Sequence, residues 1–226
     1  MGSNERRERE RLETRAKILD AARELFAAHG FEAVTMRKIA EKIEYTPTAI
    51  YFHFKDKDAL IHELCAVDFL AFAEKFAEIA NQPDPVERLR AAGHVYAAFA
   101  HAHPNSYRLM FMTPQKPASA TKGDEPWKGD PARDAYAFLK WTVEECVAKR
   151  RFRRETTDAD LLSQTIWAAM HGVVALEIAR GEDAWVDWRS FDDRLAAMID
   201  VLVRGLEQPA KASKPSKPAK PSKRSR

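Results

Sequence analysis

The chain has 226 residues, 45% hydrophobic and 31% charged, with only 8 glycines, and its length suits a small domain joined to a larger one. No apolar run approaches the roughly 20 residues needed to span a bilayer, and Met1-Gly2-Ser3 leads into charge instead of a secretory segment, so a cytoplasmic protein is expected. The net charge of +3 hides a division: residues 1–57 hold 12 Lys/Arg against 10 Asp/Glu, residues 58–208 hold 18 against 24, and residues 209–226 hold 7 against none. Any polyanion would therefore meet the two ends, not the middle.

Helical spacing of Ile18, Ala22, Leu25 and Phe26 predicts a first helix over Thr14 to His29, closed by Gly30. Thr35 is a natural cap for a short second helix, Met36 to Ile43, with Ile39, Ala40 and Ile43 turned inward. Thr46-Pro47 opens a third, reaching about Phe54, because proline costs nothing at a first helical position. Asp56 caps a fourth, from Lys57 to about Ala80. Further helices are expected at about 85–102, 104–112, 131–151, 157–180 and 190–207, the last two starting at Thr157 and Ser190. Three prolines and two glycines make 113–130 a long mobile loop, and the Pro/Lys/Ser-rich segment from Pro209 onward cannot form a core. No convincing strand is present, so the fold class is all-α.

Two short helices separated by "EYT" have helix-turn-helix spacing. On a helical wheel the third helix buries Ile50 and Phe54, points Thr48 and Phe52 outward, and leaves Ala49 and Tyr51 on its flanks. Against a DNA major groove, an outward Phe and Thr have base methyls and sugars to contact. Thr46, Tyr51, His53 and Lys57 can donate to phosphates, and Thr35, Arg37, Ala49 and Lys55 complete the candidate DNA-binding set. A packed helical corner accounts for the same periodicity equally well.

The stretch "RAKILDAARELFAAHGFEAVTMRKIAEKIEYTPTAIYFHFKDKDALIHEL" resembles the DNA-binding domain of the TetR family of bacterial transcriptional regulators. The resemblance implies a helix-turn-helix three-helix domain over 12–57, a ligand-binding and dimerisation domain over 58–208, and a third helix that reads the groove. It also implies a homodimer paired through the helices at about 157–180 and 190–207, which a palindromic operator on double-stranded DNA requires. One departure is Glu44, where members usually carry Gly; a left-handed conformation there would store roughly 1 kcal/mol.

Farther along, "TIWAAMHGVVALEIARG" resembles a Trp-His-Gly segment of one subgroup, here Trp167, His171 and Gly172. With Tyr107, Met110, Phe111, Trp141 and Met170 these supply aromatic and soft side chains for an effector pocket, although core packing would use Phe111, Trp141 and Met170 in the same way. Gly172 is expected to permit close helix approach. Cys65 and Cys146 have no neighbours at metal-ligand spacing, and no catalytic set emerges, so neither cofactor nor metal is expected. The leading expectation is a repressor released by a small-molecule effector. An architectural DNA-binding protein using the basic tail, and an enzyme using the C-terminal cavity, are the alternatives.

Overall fold

The computed structural model describes residues 3–113, 127–155 and 157–208. Among them are nine α-helices and no strand, beyond an isolated bridge between Phe152 and Glu207. Helix α1 (Ser3–His29), α2 (Met36–Lys42) and α3 (Pro47–His53) form the N-terminal unit, followed by α4 (Lys57–Ala77) and α5 (Pro85–Ala102). Helix α6 (Pro104–Tyr107) is one turn that runs into a π-helical turn at Arg108–Met112. Helices α7 (Ala135–Ala148), α8 (Ala159–Arg180) and α9 (Phe191–Leu206) complete the bundle.

The caps explain most boundaries. Thr35, Thr46 and Asp56 accept from Lys38, Ala49 and Ala59 amides and so start α2, α3 and α4. Ser190 starts α9 in the same way. Helix α8 differs from expectation: Asp158, not Thr157, caps it by accepting from the Leu161 amide. Helix α1 begins at Ser3, well before Thr14, because no glycine or proline interrupts the charged segment and Arg6–Glu10 and Arg9–Glu13 pair along one face. The 22 residues of α8 are also apolar enough, by length and composition, to cross a bilayer, which corrects the expectation that no such run exists. Most of the predicted loop (114–126) and the tail 209–226 lie outside the described residues.

Ile18, Ala22, Phe26, Val34, Ile39, Ile50 and Phe54 form the N-terminal core and meet Leu60 and Leu64 of α4. In the larger unit Phe72 is the hub of a ring cluster, with centroids 4.7 Å from Phe99, 4.9 Å from Phe76 and 5.6 Å from Tyr96. Tilted and edge-on rings at these separations add to area burial. The close helix approach occurs at Gly93, not at Gly172. A Cβ on Gly93 would lie 2.9 Å from Ile199 Cδ1, so α5 and α9 touch there, whereas Gly172 has nothing within 4 Å.

Candidate functional site

The outer face of α3 is open. Ile50 is 0% exposed and Phe54 is buried, while Phe52 is 79% and Tyr51 53% exposed, with Thr48 and Lys55 also exposed and Ala49 half-buried. Two cations hold the face in place. Arg15 Nη1 donates to the His53 carbonyl at 2.8 Å, its Nε donates to Glu63 of α4 at 2.6 Å, and its guanidinium covers the Phe54 ring at 4.3 Å. Lys57 Nζ donates to the carbonyls of Phe31 and Val34 at 3.0 and 3.1 Å and sits 4.0 Å over the Phe31 ring. Its charge ties α4 to the α1–α2 loop, a structural task that spacing did not reveal. Burial and the nearby Arg15 and Arg11 lower the His53 pKa, and its Nδ1 is buried without a partner among the described residues. Thr35 and Thr46 spend an acceptor on their caps, and Arg37 is exposed and paired with Glu41 at 2.8 Å.

A shallow groove beside Phe52 and His53 is lined by Asn4, Arg7, Glu8, Glu10, Arg11 and Thr14 of α1. Arg6, Arg9 and Arg11 pair with glutamates of their own helix; among the described residues Arg7 has no carboxylate partner. Sequence reasoning overlooked Arg7 because it lies N-terminal to the expected start of α1. The turn between α2 and α3 holds Glu44 at φ 59°, the left-handed conformation that favours glycine.

A second feature lies inside the larger unit. A cavity of about 230 Å³ is walled by Phe69, Phe72, Phe76, Tyr96, Phe111 and Trp167, with Met110, Met170, Ile166 and Ile199 among its aliphatic lining. Of the sequence-predicted pocket residues, Met110, Phe111, Trp167 and Met170 line it; Tyr107, Trp141 and His171 do not. Trp141 is instead under the buried Arg88, whose guanidinium lies 3.9 Å from its ring and pairs with Glu145. Tyr107 and His171 stand behind the wall in a polar chain. Tyr107 Oη lies 2.6 Å from His171 Nδ1 and 2.7 Å from Tyr96 Oη, and Trp167 Nε1 donates to Tyr96 Oη at 3.3 Å. Burial lowers the His171 pKa and raises that of both phenols, and a neutral imidazole in its Nε2–H tautomer can accept from Tyr107 at the end of the chain. Tyr96 was absent from the expected set, although it is one helical turn from Gly93 and Phe99 on the core face of α5.

The cavity wall and the N-terminal unit are linked within a few residues. Arg23 of α1 pairs with Asp68 of α4 and donates to Ser106 Oγ of α6 at 3.1 Å. Ser106 precedes Tyr107, and the π-helical turn that follows contributes Met110 and Phe111 to the wall. Asp68 is 6% exposed and its second oxygen has no partner among the described residues, a costly arrangement for a carboxylate.

Residues 18–64 match the family model for bacterial regulatory proteins of the tetR family, and residues 89–202 match a tetracyclin repressor-like C-terminal domain. The chain belongs to the TetR family. It is 38% identical over 190 residues to the HTH-type transcriptional repressor Rv1474c of Mycobacterium tuberculosis, covering 83% of this chain and 90% of that one. It is 34% identical over 195 residues to the HTH-type transcriptional regulator UidR of Escherichia coli K12, covering 82% and 91%. A solved protein of unknown function from Rhodococcus sp. RHA1 shares the fold, with a TM-score of 0.68 at 22% identity over 86% of this chain and 95% of that one. Rv1474c is named as a repressor and UidR as a regulator, neither as an enzyme. The N-terminal match begins at Ile18 and so excludes Arg7 and the rest of the charged extension of α1.

Proposed function

We propose that this TetR-family protein is a repressor that binds a palindromic operator as a homodimer and leaves it when a small molecule enters the C-terminal cavity. The observation that carries this reading is the short path from cavity to DNA face. Met110 and Phe111 line the cavity from the π-helical turn that directly continues α6, whose Ser106 accepts from Arg23 of α1. A ligand that displaces the π-helical turn changes the Arg23–Asp68–Ser106 contact, and with it the seating of α1. Release then follows if the ligand binds that displaced state more tightly.

At the DNA face, Thr48 and Phe52 enter the major groove, with Ala49 at its side. Tyr51, Thr46, Thr35, Arg37, His53, Lys55 and Lys57 serve the phosphates. Arg7 joins them from the start of α1. The unit over 12–57 is the DNA-binding domain and 58–208 the effector and dimerisation domain, in a cytoplasmic protein.

The dimer uses the outer face of α8 and α9. Leu162, Ile166 and Val173 of α8 and Leu195 and Ile199 of α9 are already buried within one protomer. Leu161, Leu176 and Val201 remain exposed at 61%, 50% and 67%, with the open Gly172 among them. This face explains why α8 is apolar nearly all round: one side serves its own core and the other a second copy. The Trp167–Tyr96–Tyr107–His171 chain gives the Trp-His-Gly segment a common purpose and supports the subgroup assignment.

The test is a map of the protein's chromosomal sites, followed by titration of the recovered duplex. The expected outcome is protection of one symmetric site with one dimer bound per duplex. Uniform coating of unrelated duplexes would overturn it.

A further inference from the structure

We infer that the cavity takes a compact amphipathic carboxylate, with its hydrocarbon or aryl body among the rings and its acid head at Arg133. The inference rests on the effector-site reading above and adds the chemical class of the effector.

The chamber itself asks for an apolar body. Eight of its lining residues are aromatic, with Trp127 and Tyr136 joining the six rings already named. At about 230 Å³ it is smaller than the ~300–1,000 Å³ of drug-sized sites. That is about eight waters' worth of liquid volume at ~30 Å³ each, enough for a phenyl ring and a short chain.

The lining carries two formal charges, Arg133 and Asp134, in the turn that leads into α7. Asp134 is committed. Its Oδ1 accepts from the amides of Tyr136 and Ala137 at 2.9 and 3.2 Å, and its Oδ2 accepts from Gly129 at 2.9 Å. Those donors, with the helix dipole behind them, hold the carboxylate as a cap for α7. Arg133 is not committed. It is exposed while lining the cavity, and among the described residues its guanidinium has no carboxylate partner.

This is unusual for the surroundings, because residues 58–208 hold 18 Lys/Arg against 24 Asp/Glu. An exposed guanidinium at the mouth of an apolar chamber matches a ligand with one anionic end. The acid keeps part of its hydration at the mouth, so the desolvation penalty of a fully buried ion pair does not arise, and the planar fork can take both oxygens.

Three probes with one body and three heads test this on the full-length protein: 4-phenylbutanoate, 4-phenylbutan-1-ol and 4-phenylbutylamine, each followed by calorimetry. The acid should bind about ten- to a hundredfold more tightly than the alcohol, as expected of a charge-assisted contact. Arg133→Gln should abolish that preference while leaving the alcohol's affinity unchanged. Equal binding of acid and alcohol, or a preference that survives Arg133→Gln, overturns the carboxylate assignment and leaves the effector site standing. Tightest binding of the amine overturns it in favour of Asp134 as the reader of the head. If none of the three binds, the assignment of a compact amphipathic carboxylate falls, and the effector-site reading is left to ligands of other chemistry.

Discussion

The two ends of the described chain treat their aromatic residues in opposite ways. In the helix-turn-helix the rings of one short helix are sorted individually: Phe54 goes to the core, Tyr51 and Phe52 to the outside. In the larger unit, rings from α4, α5, α7, α8 and the π-helical turn are pooled around an unfilled space. The first arrangement is set by neighbours three or four residues apart and by threonine and aspartate caps. The second depends on helices separated by up to about a hundred residues arriving together. A face built locally can be rigid, while a chamber assembled from distant helices is free to change shape when filled, which is the division of labour that the proposed release by a ligand needs.

The sharpest way to break this contrast is Ile50→Ala. Ile50 is fully buried, and its truncation should cost about 2–5 kcal/mol. All 5 tryptophans lie beyond residue 113. Tryptophan fluorescence therefore follows the larger C-terminal unit and not the helix-turn-helix, whereas circular dichroism follows every helix. The dichroism transition should move to lower denaturant with the fluorescence transition in place. A common shift of both would mean that the two units unfold as one.

Lys57 comes next. Its ammonium makes two carbonyl bonds, so Lys57→Met should lower stability by about 1.5–3 kcal/mol as well as weaken DNA binding. Unchanged denaturation would return Lys57 to the role expected from sequence, phosphate contact alone. On the open face, Thr48→Ala should alter base preference by about 1–3 kcal/mol with stability intact. Arg7→Ala should weaken all sequences alike and flatten the salt dependence by about one unit of slope. Operator titrations at several salt concentrations separate the two, and an Arg7 variant with the parental slope removes Arg7 from the interface.

Smaller effects sharpen the local side of the contrast. Glu44→Gly relieves a positive φ of 59° and should stabilise the turn by roughly 1 kcal/mol; a loss of stability would mean that the carboxylate does more than occupy a strained position.

The chamber side has its own probe in pH. The His171 pKa is lowered by burial from its ordinary value of 6.5, so the folded state takes up a proton less readily than the unfolded chain. Its contribution is present above that value and is lost as pH falls toward the depressed folded value. Thermal melts of the parent and His171→Gln should diverge as the pH falls below about 6.5. Parallel curves would show that the imidazole is not held as a neutral acceptor.

By itself the sequence determined the all-helical class, the caps Thr35, Thr46, Asp56 and Ser190, and the sorting of α3. Each of these follows from residues within one or two helical turns, where backbone hydrogen bonds and the 3.6-residue period leave little choice. The tertiary structure alone decided which rings face the cavity. Tyr107 and His171 lie four and one residues from cavity-lining Phe111 and Met170, yet both hydrogen-bond behind the wall; Trp141 is claimed by Arg88, and Tyr96 enters unannounced. It also decided that Leu162, Ile166 and Val173 of α8 belong to the core while Leu161 and Leu176 of the same helix stay open. A helical stripe reports that a side chain is covered, but the covering surface comes from distant segments, and only their packing distinguishes core, cavity wall and interface.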